Sequence, residues 1–438
     1  MYSHVNAIEV SIWGRHVGTI VPKTATHYRF EYDTAFLRSG MEIAPFELPL
    51  GAGEFSFLDR PASAFHGLPA VFADSLPDSF GNSVIDAWME RQGVMKSSVT
   101  ALDRLAYVGS RAIGALEYAP QRGPRRDVKL AIRLKSVIEQ SRHVVNRRIE
   151  NMSGPAALKE IFRVGTSAGG AQAKAVVGWN PETDRFCIPS ENMPEGFEHW
   201  IVKITPDERP YTGIAEYRTY ELARACGVEI SESKLYTLDG VGHFMTRRFD
   251  RDGAKRYHVQ TFRAIRALPP DVSLEMNSYG QLFETIVALN LGYDALSQMF
   301  RRMAFNVYSD ETDDHSKNFS FLMKEGGPWQ LAPAYDLTGG VPPEAPSDDL
   351  RRSWTNCHAM SINGKQSNIT DDDLLEIAGR YAIGSAESIL SEVKSVLMGR
   401  QRGHPMVREL PCRRRGDSSP VCQDGASAGR IRREGRNA

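Results

Sequence analysis

The chain has 438 residues, 41% of them hydrophobic and 24% charged, which is the composition of a soluble globular protein with a core large enough for two or three domains. No apolar run approaches the ~18 residues that a bilayer span needs, and the N-terminus lacks the basic start and apolar stretch of a signal peptide, so we expect a cytoplasmic protein with no membrane partner. The net charge of −1 combines −7 on residues 1–399 with +6 on residues 400–438, which excludes a global positive field that would hold nucleic acid on the folded part.

Residues 1–125 are predicted to form an N-terminal unit rich in β-structure. Residues 8–12 alternate between apolar and polar, as a half-buried strand does. The later elements predicted from the sequence are a hairpin turn at Arg15–Gly18, a helix from Asn82 to about Arg91 and a closing strand at Ala112–Tyr118. The stretch Pro120–Arg126, rich in Pro, Gly and Arg, marks a linker. A polar helical segment follows, so residues 126–150 are predicted to connect two units.

Residues 151–255 are predicted to form a second unit that contains several strands. It opens with a glycine-rich turn, Gly165–Lys174, that runs into a strand. Another strand is predicted at His199–Ile204. The pattern of Glu216–Cys226 is helical, and Gly227 is a suitable C-terminal cap for that helix.

Residues 256–399 are predicted to form a third unit dominated by helices. The segment Asp294–Tyr308 places its apolar residues on one stripe, as an amphipathic helix does. The other predicted elements are a helix at Gly280–Leu291, strands at Phe319–Met323 and Trp329–Leu331, and a helical region at Asp371–Gly399. Residues 400–438 hold ten Lys and Arg against four Asp and Glu and few apolar residues, which predicts a basic, disordered tail.

A loop between these helices and strands carries the most informative motif of the chain. Asp313 and Asn318 lie five residues apart, and Asp336 follows eighteen residues later. The catalytic loop of protein kinases has the same D-x4-N spacing, because magnesium-dependent phosphoryl transfer needs a carboxylate for the hydroxyl proton and oxygen ligands that hold metal against phosphates. The usual His-Arg before the first Asp is missing, and Leu337-Thr338 stands where kinases have Phe-Gly.

Further residues have the types and the order that a kinase needs. Lys203 on a strand and Glu216 on the next helix match a phosphate-binding Lys held by an ion pair, although each alone is commonly a solvated surface residue. The glycine-rich turn has neither the P-loop nor the G-x-G-x-x-G pattern, and it fits either a plain turn or backbone N–H groups and Lys174 placed over phosphates. His315 fits a residue that orients the loop better than it fits a base or a metal ligand. The linear order of all these features is that of a two-lobed kinase.

Longer motifs resemble the HipA family, the serine/threonine-kinase toxins of bacterial type II toxin–antitoxin modules. The resemblance extends to about Met398 and includes the N-terminal signatures Phe72–Gly81 and Ala101–Gly109. It continues through Thr166–Lys174 and the loop Thr312–Asn318. It implies an α+β, two-lobed protein kinase-like fold with a mixed β-rich N-lobe, a helical C-lobe and an N-terminal accessory subdomain. The implied divisions are a HipA-like N-terminal subdomain at 1–125, a linker at 126–150, an ATP-binding lobe with its phosphate loop at 151–255, a catalytic C-lobe at 256–399 and the tail at 400–438.

The resemblance also implies roles for individual residues. Asp313 is the implied catalytic base, and Asn318 and Asp336 are the implied Mg²⁺ ligands. Lys203 is the implied phosphate-binding Lys, with Glu216 as its ion-pair support. The other implied ATP-binding residues are Gly169, Gly170, Ala171, Gln172 and Lys174 of the phosphate loop and Phe249 at the hinge, and the implied site of inactivating autophosphorylation is Ser167.

The resemblance implies a function and partners as well. Family members phosphorylate aminoacyl-tRNA synthetases, halt translation and promote dormancy, and a small helix-turn-helix antitoxin neutralises them. We therefore expect an ATP·Mg-dependent serine/threonine protein kinase with a HipB-like antitoxin and a protein substrate, plausibly a tRNA synthetase, as partners. Operator DNA is expected to be contacted mainly through the antitoxin. Two alternatives stay open, a small-molecule kinase of the same fold and a catalytically weak co-repressor that binds an antitoxin.

Two features depart from the family pattern. Ala173 stands in the phosphate loop where the best-known member has Glu, which puts the chemistry of this loop in doubt. The sequence after Met398 does not resemble the family's C-terminus. A frameshifted or replaced C-terminus is the favoured interpretation of this tail, and a basic arm that contacts DNA or RNA is the alternative interpretation.

Overall fold

The computed structural model describes residues 2–124, 131–145, 172–190, 193–269, 272–338 and 357–401. The predicted phosphate loop before Gln172 and the predicted tail beyond residue 401 lie outside these ranges. Met1–Met398 form one compact unit, and the described part of the other unit, Gly399–Ala438, is residues 399–401.

An antiparallel sheet, with five strands among the described residues, begins the chain. In sheet order these strands are Glu54–Ser56, Tyr28–Tyr32, Arg15–Pro22, Ile8–Ile12 and Leu116–Ala119. The apolar residues of Ile8–Ile12 are buried in alternation, as the sequence predicts. The turn predicted at Arg15–Gly18 is wrong, because Arg15 already begins the second strand and the turn is Trp13-Gly14. Both turn residues have positive φ, the pattern of a type I′ hairpin turn.

Two helices complete most of the N-terminal part. The helix Ser79–Glu90 begins before the predicted Asn82 and ends next to the predicted Arg91. Ala101–Val108 begins at a capping box, in which Thr100 and Asp103 exchange side-chain and backbone hydrogen bonds. The shorter helical turns are Thr34–Leu37, Ala62–Phe65 and Ala70–Ala73, with 3₁₀ turns at Lys96–Ser98 and Gly109–Arg111. Phe36, Phe72 and Leu102 of these elements pack with the sheet into one apolar core, and Ala64, Phe65 and Ala70 belong to a small separate cluster.

A second antiparallel sheet has six strands within the ranges that the structure describes. In sheet order they are Ser233–Leu238, Val241–Arg247, Glu198–Lys203, Lys174–Asn180, Arg185–Cys187 and Ala131–Ile132. Ala131–Ile132 lies among the residues predicted as a linker, and it forms an edge of this sheet before the helix Leu134–Val145. Lys174 and Lys203 are direct partners on neighbouring strands, so their side chains share one face of the sheet.

The helix Thr212–Ala225 approaches this sheet closely. A Cβ atom on Gly213 would lie 2.3 Å from the carbonyl oxygen of Gly242, so a larger residue does not fit there without movement of the backbone. The helix begins earlier than the predicted Glu216–Cys226. Gly227 follows it with a φ of 74°, the conformation expected of a glycine that ends a helix.

The C-terminal part combines a small antiparallel sheet with helices. Its strands are His258–Thr261, Ser320–Met323 and Trp329–Leu331, and a separate hairpin pairs Arg251–Asp252 with Lys255–Arg256. The helices are Phe262–Ile265, Tyr279–Ala288, Tyr293–Tyr308, Asp371–Arg380 and Ala386–Gln401. The predicted strand pair is present, and the region predicted as helical from Asp371 to Gly399 is two helices. The apolar core of the C-terminal part fully buries Phe283, Phe300 and Phe321.

The N-terminal part is packed against the second sheet through a helix that the two share. Phe80 and Val84 of Ser79–Glu90 belong to the apolar core of the second sheet, and Ile85 of the same helix belongs to the N-terminal core. The boundaries of the predicted units stay predictions. Of the described helices, none combines the length and apolar character that crossing a membrane requires.

Candidate active site

Lys203 lies at the end of its strand and at the centre of the candidate site. Its side chain is 7% exposed, and its ammonium group donates to the carboxylates of both Glu216 and Asp336. The structure thus brings together residues that lie up to 133 positions apart in the sequence. A buried ammonium group is stable only where carboxylates compensate its charge, so the three side chains form one electrostatic unit.

Opposing effects set the charges of this unit. Burial alone would lower the pKa of Lys203, but the carboxylates of Asp336 and Glu216 hold that pKa above its ordinary value. Burial alone would raise the pKa of Asp336, but the ammonium groups of Lys203 and Lys174 hold it below its ordinary range. Burial prevails at Glu216, whose pKa is raised in spite of Lys203. Lys203 and Asp336 are therefore charged at neutral pH, which suits an ammonium group that faces phosphate and a carboxylate that binds metal.

The loop from Asp313 to Asn318 is closed by its own hydrogen bonds. The side-chain amide of Asn318 donates to the backbone carbonyl of Asp313 at 2.9 Å. The backbone N–H of Asn318 donates to the backbone carbonyl of His315 at 2.8 Å. The Asp313 side chain is 48% exposed. Partial burial nevertheless raises the pKa of Asp313, an effect that His315 opposes and Asp336 reinforces. A reachable carboxylate with a raised pKa suits a group that accepts a proton from a hydroxyl.

Glu311 is a buried residue of the site that the sequence does not reveal. One of its carboxylate oxygens accepts the backbone N–H of Asp313 at 3.2 Å, and the other accepts the backbone N–H of Thr338 at 2.5 Å. Because Thr338 lies two residues after Asp336, Glu311 holds the two acidic segments at a fixed separation. Its only signal in the sequence is an acidic residue just before the motif, which is also typical of a solvated loop.

Asp314 anchors the loop to the helical part of the chain. Its buried carboxylate accepts hydrogen bonds from the Tyr279 hydroxyl and the Ala359 backbone N–H, and it lies against Nδ1 of His358, each at 2.8 Å. Because its carboxylate oxygens are used in these contacts, Asp314 holds the loop in place. The neighbouring Asp313 is half exposed, and a substrate can reach its carboxylate. The role of His315 stays a prediction.

Asp336 is held in an uncommon backbone conformation by the residues before it. Its φ is 56°, in the left-handed region that non-glycine residues seldom adopt. Ala334 exchanges backbone hydrogen bonds with Glu229 at 2.8 Å and with Ser231 at 3.1 Å. The Tyr335 hydroxyl donates to the backbone carbonyl of Lys317 at 2.6 Å. These contacts on both sides of the chain aim the Asp336 carboxylate at Lys203.

The structure describes the end of the predicted phosphate loop. Gln172 donates through its side-chain amide to the carbonyl of Ile204 at 3.2 Å. Lys174 is buried, and burial lowers its pKa against the pull of Asp336. Its pairing with Lys203 on the neighbouring strand puts the two side chains on the same face of the sheet. The other predicted loop residues, Ser167, Gly169, Gly170 and Ala171, lie outside the described ranges, so their roles stay predictions.

Phe249, the predicted hinge residue, lies beside the segment that carries Asp336. Its half-buried ring faces that of Tyr335, with centroids 5.6 Å apart. The next residue, Asp250, is buried and accepts hydrogen bonds from Arg248 at 2.7 Å and from the backbone N–H of Gly114 at 2.8 Å. The segment that contains Phe249 is therefore attached to the N-terminal part of the chain.

The donor set of the site fits a metal ion that arrives with phosphate. Asp313, Asn318 and Asp336 line one small cavity. Within the described ranges, no group of three or more His, Cys, Asp and Glu side chains is arranged to hold a metal. Mg²⁺ commonly takes one or two protein oxygen ligands and completes its shell with water and substrate phosphates. Asn318 and Asp336 supply oxygens of the kind that such an ion needs.

The sheets, the helical part and the ion pairs around Lys203 define an α+β, kinase-like fold. The chain matches a chain of the Shewanella oneidensis complex of HipA, HipB and operator DNA with a TM-score of 0.62 and 19% identity, over 92% of both chains. Residues 8–119 match the HipA N-terminal domain, and residues 166–399 match the HipA-like C-terminal domain. The chain belongs to the HipA family.

Two curated relatives are distant in sequence. The serine/threonine-protein kinase toxin HipA of Shewanella oneidensis is 22% identical over 78% of this chain and 74% of its own length. Y4dM of Sinorhizobium fredii, which carries a provisional kinase name, is 22% identical over 48% of this chain and 54% of its own length. The chain thus spans about half the length of Y4dM. At these identities the similarity extends to the family and the fold.

Proposed function

We propose that this protein is an ATP- and Mg²⁺-dependent serine/threonine protein kinase and the toxin of a type II toxin–antitoxin module. The observation that carries the proposal is the position of Lys203 between Glu216 and Asp336. Asp313 and Asn318 line the same cavity as Asp336. Each of these side chains then has one task that phosphoryl transfer needs.

Asp313 acts on the acceptor hydroxyl. Its half-exposed carboxylate can be reached by a serine or threonine side chain, and its raised pKa favours proton uptake. As the hydroxyl oxygen bonds to the γ-phosphorus of ATP, the bond to the ADP oxygen breaks and the hydroxyl proton passes to Asp313. The hydrogen bond from Asn318 to the Asp313 carbonyl keeps the loop in place during this transfer.

Lys203 acts on the charge of the transferred phosphoryl group. Glu216, on the helix behind the strand, fixes the direction of the ammonium group, and Lys174 adds a second positive charge on the same face of the sheet. Asn318 and Asp336 are the residues that would hold Mg²⁺, which when bound offsets the charge of the nucleotide phosphates. Because these groups are fixed before substrate binds, little reorganisation is needed during transfer.

The proposed partners rest on the family. The matched Shewanella chain is part of a complex with HipB and operator DNA, which supports a helix-turn-helix antitoxin as the partner of this chain. The charge of −7 on residues 1–399 supports contact with operator DNA mainly through that antitoxin. A cytoplasmic aminoacyl-tRNA synthetase is the proposed substrate, on the resemblance to the family.

A labelling experiment separates this function from its alternatives. The full chain is incubated with γ-labelled ATP, magnesium and a lysate of the host, in parallel with Asp313→Asn. Label in a lysate protein with the wild type alone supports the protein kinase. Label confined to small molecules would identify a small-molecule kinase. If neither the wild type nor Asp313→Asn transfers label, and the wild type still binds the antitoxin, the protein is a co-repressor.

A further inference from the structure

An aspartate of the N-terminal part contacts the loop Asp313–Asn318, which is the catalytic loop of the proposed kinase. Asp78 lies at the start of the helix Ser79–Glu90, within the signature Phe72–Gly81, and its carboxylate accepts a hydrogen bond from the Lys317 ammonium at 2.5 Å. The two side chains are 27% and 38% exposed, so the ion pair is partly shielded from water. Lys317 directly precedes Asn318, the proposed metal ligand. A fixed position for Lys317 therefore restricts the position of Asn318.

Lys317 is also connected to the segment that carries the second proposed metal ligand. Its backbone carbonyl accepts the Tyr335 hydroxyl, and Tyr335 directly precedes Asp336. The same hydroxyl lies 2.5 Å from the hydroxyl oxygen of Ser320, at the start of the strand after the loop. A displacement of Lys317 would therefore disturb the residues beside both proposed metal ligands.

A second aspartate of the same signature reaches the loop by a separate route. Asp74 accepts hydrogen bonds from both the backbone N–H and the hydroxyl of Thr261, each at 2.8 Å. The backbone N–H groups of the next two residues donate to the carbonyls of Phe319 and Ser316, at 2.7 Å and 3.0 Å. These two carbonyls flank Lys317–Asn318. The backbone on both sides of the pair is thus attached to a segment that Asp74 holds.

The helix that presents Asp78 is itself well fixed. The side-chain amide of Asn82 donates to the carbonyl of Pro77 at 2.6 Å, which holds the turn before the helix. Arg104 donates to the Asn82 side chain at 2.9 Å and to Asp86 at 2.7 Å. Arg104 belongs to the helix Ala101–Val108, whose residues lie in the N-terminal core. The contact at Lys317 is therefore backed by the packing of the whole N-terminal part.

We propose that Asp78 and Asp74 are positioning residues, through which the N-terminal part holds the catalytic loop in the geometry that phosphoryl transfer requires. The inference rests on the proposed kinase function and deepens it. Neither aspartate contacts the reacting atoms, and each acts through the loop. The signature Phe72–Gly81 is then part of the active kinase, in addition to any role of the N-terminal part in binding partners.

The first test compares two isosteric substitutions on one helix. Asp78→Asn removes the charge that faces Lys317, and Glu90→Gln, the matched control, removes the charge of an exposed carboxylate at the other end of the same helix. In the full chain, Asp78→Asn is expected to accelerate hydrogen exchange in residues 311–323 and to lower kcat about tenfold or more, because small misplacements of catalytic groups have effects of this size. KM for ATP is expected to change little. Glu90→Gln is expected to leave both loop exchange and kcat near the wild-type values.

A double-mutant cycle tests whether Asp78 acts through Lys317. If it does, Asp78→Asn costs little more kcat once Lys317→Gln is present, because the interaction is already lost. Independent losses that multiply in the double variant would overturn the proposal, since Asp78 would then act elsewhere. Asp74→Asn is expected to accelerate exchange in the same residues, and unchanged exchange there would remove Asp74 from the proposal.

The exchange measurement separates this inference from the kinase assignment. Unchanged exchange in Asp78→Asn, with an active wild type, would overturn the positioning role and leave the kinase standing. Faster exchange in Asp78→Asn, with no phosphate transfer by the wild type, would contradict the kinase and keep the mechanical link between the N-terminal part and the loop.

Discussion

Asp250 shows how one buried carboxylate can join two parts of this chain. It accepts hydrogen bonds from the guanidinium groups of Arg248 and Arg251 and from the backbone N–H of Gly114. Arg251 donates in turn to the carbonyls of Ala112 and Gly114 in the N-terminal part. Burial alone would raise the pKa of Asp250, but the two guanidinium groups hold it well below its ordinary range.

Replacing Asp250 by Asn is expected to lower the free energy of unfolding by about 3–5 kcal/mol, because two buried guanidinium groups lose their carboxylate. Since the folded pKa is depressed, the stabilisation is present above the ordinary Asp pKa of about 3.9 and is lost as pH falls through the folded value. The difference between wild type and Asp250→Asn should therefore be steady from about pH 5 to 8 and shrink below about pH 4. This difference in the free energy of unfolding is measured by denaturant unfolding of both proteins from below about pH 4 to about pH 8.

The control for this prediction is Asp252→Asn, two residues further along the chain. Asp252 is exposed and accepts one hydrogen bond from the Tyr257 hydroxyl at 3.2 Å. Its substitution is expected to change stability by less than about 0.5 kcal/mol. Equal losses in the two variants would show that Asp250 does not join the N-terminal part to Arg248 and Arg251 in the way described.

Ser167 carries a prediction that rests on the family resemblance. Mass spectrometry after incubation with ATP and magnesium should find phosphoserine at Ser167 in the wild type and not in Asp313→Asn. A phosphate adds about −1.5 to −2 charges to a loop that is predicted to receive another anion, so Ser167→Asp should bind ATP more weakly than Ser167→Ala. Normal ATP affinity in protein that is fully phosphorylated at Ser167 would rule out this switch.

Strands and helices near the site could be predicted because their signals are local. The strand that ends at Lys203 and the helix that contains Glu216 follow from hydrophobic pattern and from the glycine after the helix. The convergence of Lys203 on Asp336 has no local signal, since it depends on how a strand of the sheet and a distant loop pack. The role of Glu311 could not be predicted for the same reason. The hairpin turn at Trp13-Gly14 was missed because its first residue is an unusual one at positive φ.

Because the helix Thr212–Ala225 lies so close to the sheet, we expect that a side chain at position 213 is not tolerated. Gly213→Ala places a Cβ atom against the Gly242 carbonyl, and the resulting overpacking is expected to destabilise the fold by about 1–3 kcal/mol. Gly379→Ala is the control, because this exposed glycine also lies in a helix and an added Cβ meets no atom within 4 Å. It is expected to stabilise by about 0.5–1 kcal/mol. The melting temperatures of both variants test this prediction. Equal shifts in melting temperature would mean that the helix can move away from the sheet.

At the scale of the whole molecule, the N-terminal part and the helical part contact the loop Asp313–Asn318, and the second sheet contacts Asp336. Asp78 contacts Lys317 of that loop, and Asp74 holds Thr261, whose next two residues bond to the backbone on both sides of Lys317–Asn318. Lys203 bonds to Asp336. The family signatures in the sequence predicted the kinase-like fold. They could not predict the long-range contacts of Asp78, Asp74 and Lys203, because each depends on packing between residues more than a hundred positions apart.

The basic tail is expected to contribute little to the stability of the fold. Deleting residues 402–438 should leave the melting temperature nearly unchanged, because so polar and basic a segment has little apolar surface to bury. The deletion keeps the described end of the helix Ala386–Gln401. A large drop in melting temperature would show that the tail packs on the rest of the chain. A salt-dependent DNA affinity that disappears on deletion would identify a basic arm.

The central claim is that Asp313, Asn318, Asp336 and Lys203 form one phosphoryl-transfer site. Its most direct test is the rate of phosphate transfer by Asp313→Asn, measured at saturating ATP and magnesium against the wild type, with the melting temperature of both. Asp313 is half exposed and its side chain supports little of the core, so the variant should fold normally. We predict a loss of about 10²–10⁴-fold in rate, the range of a missing general base, with the melting temperature unchanged. Near-wild-type turnover in the folded variant would contradict the account.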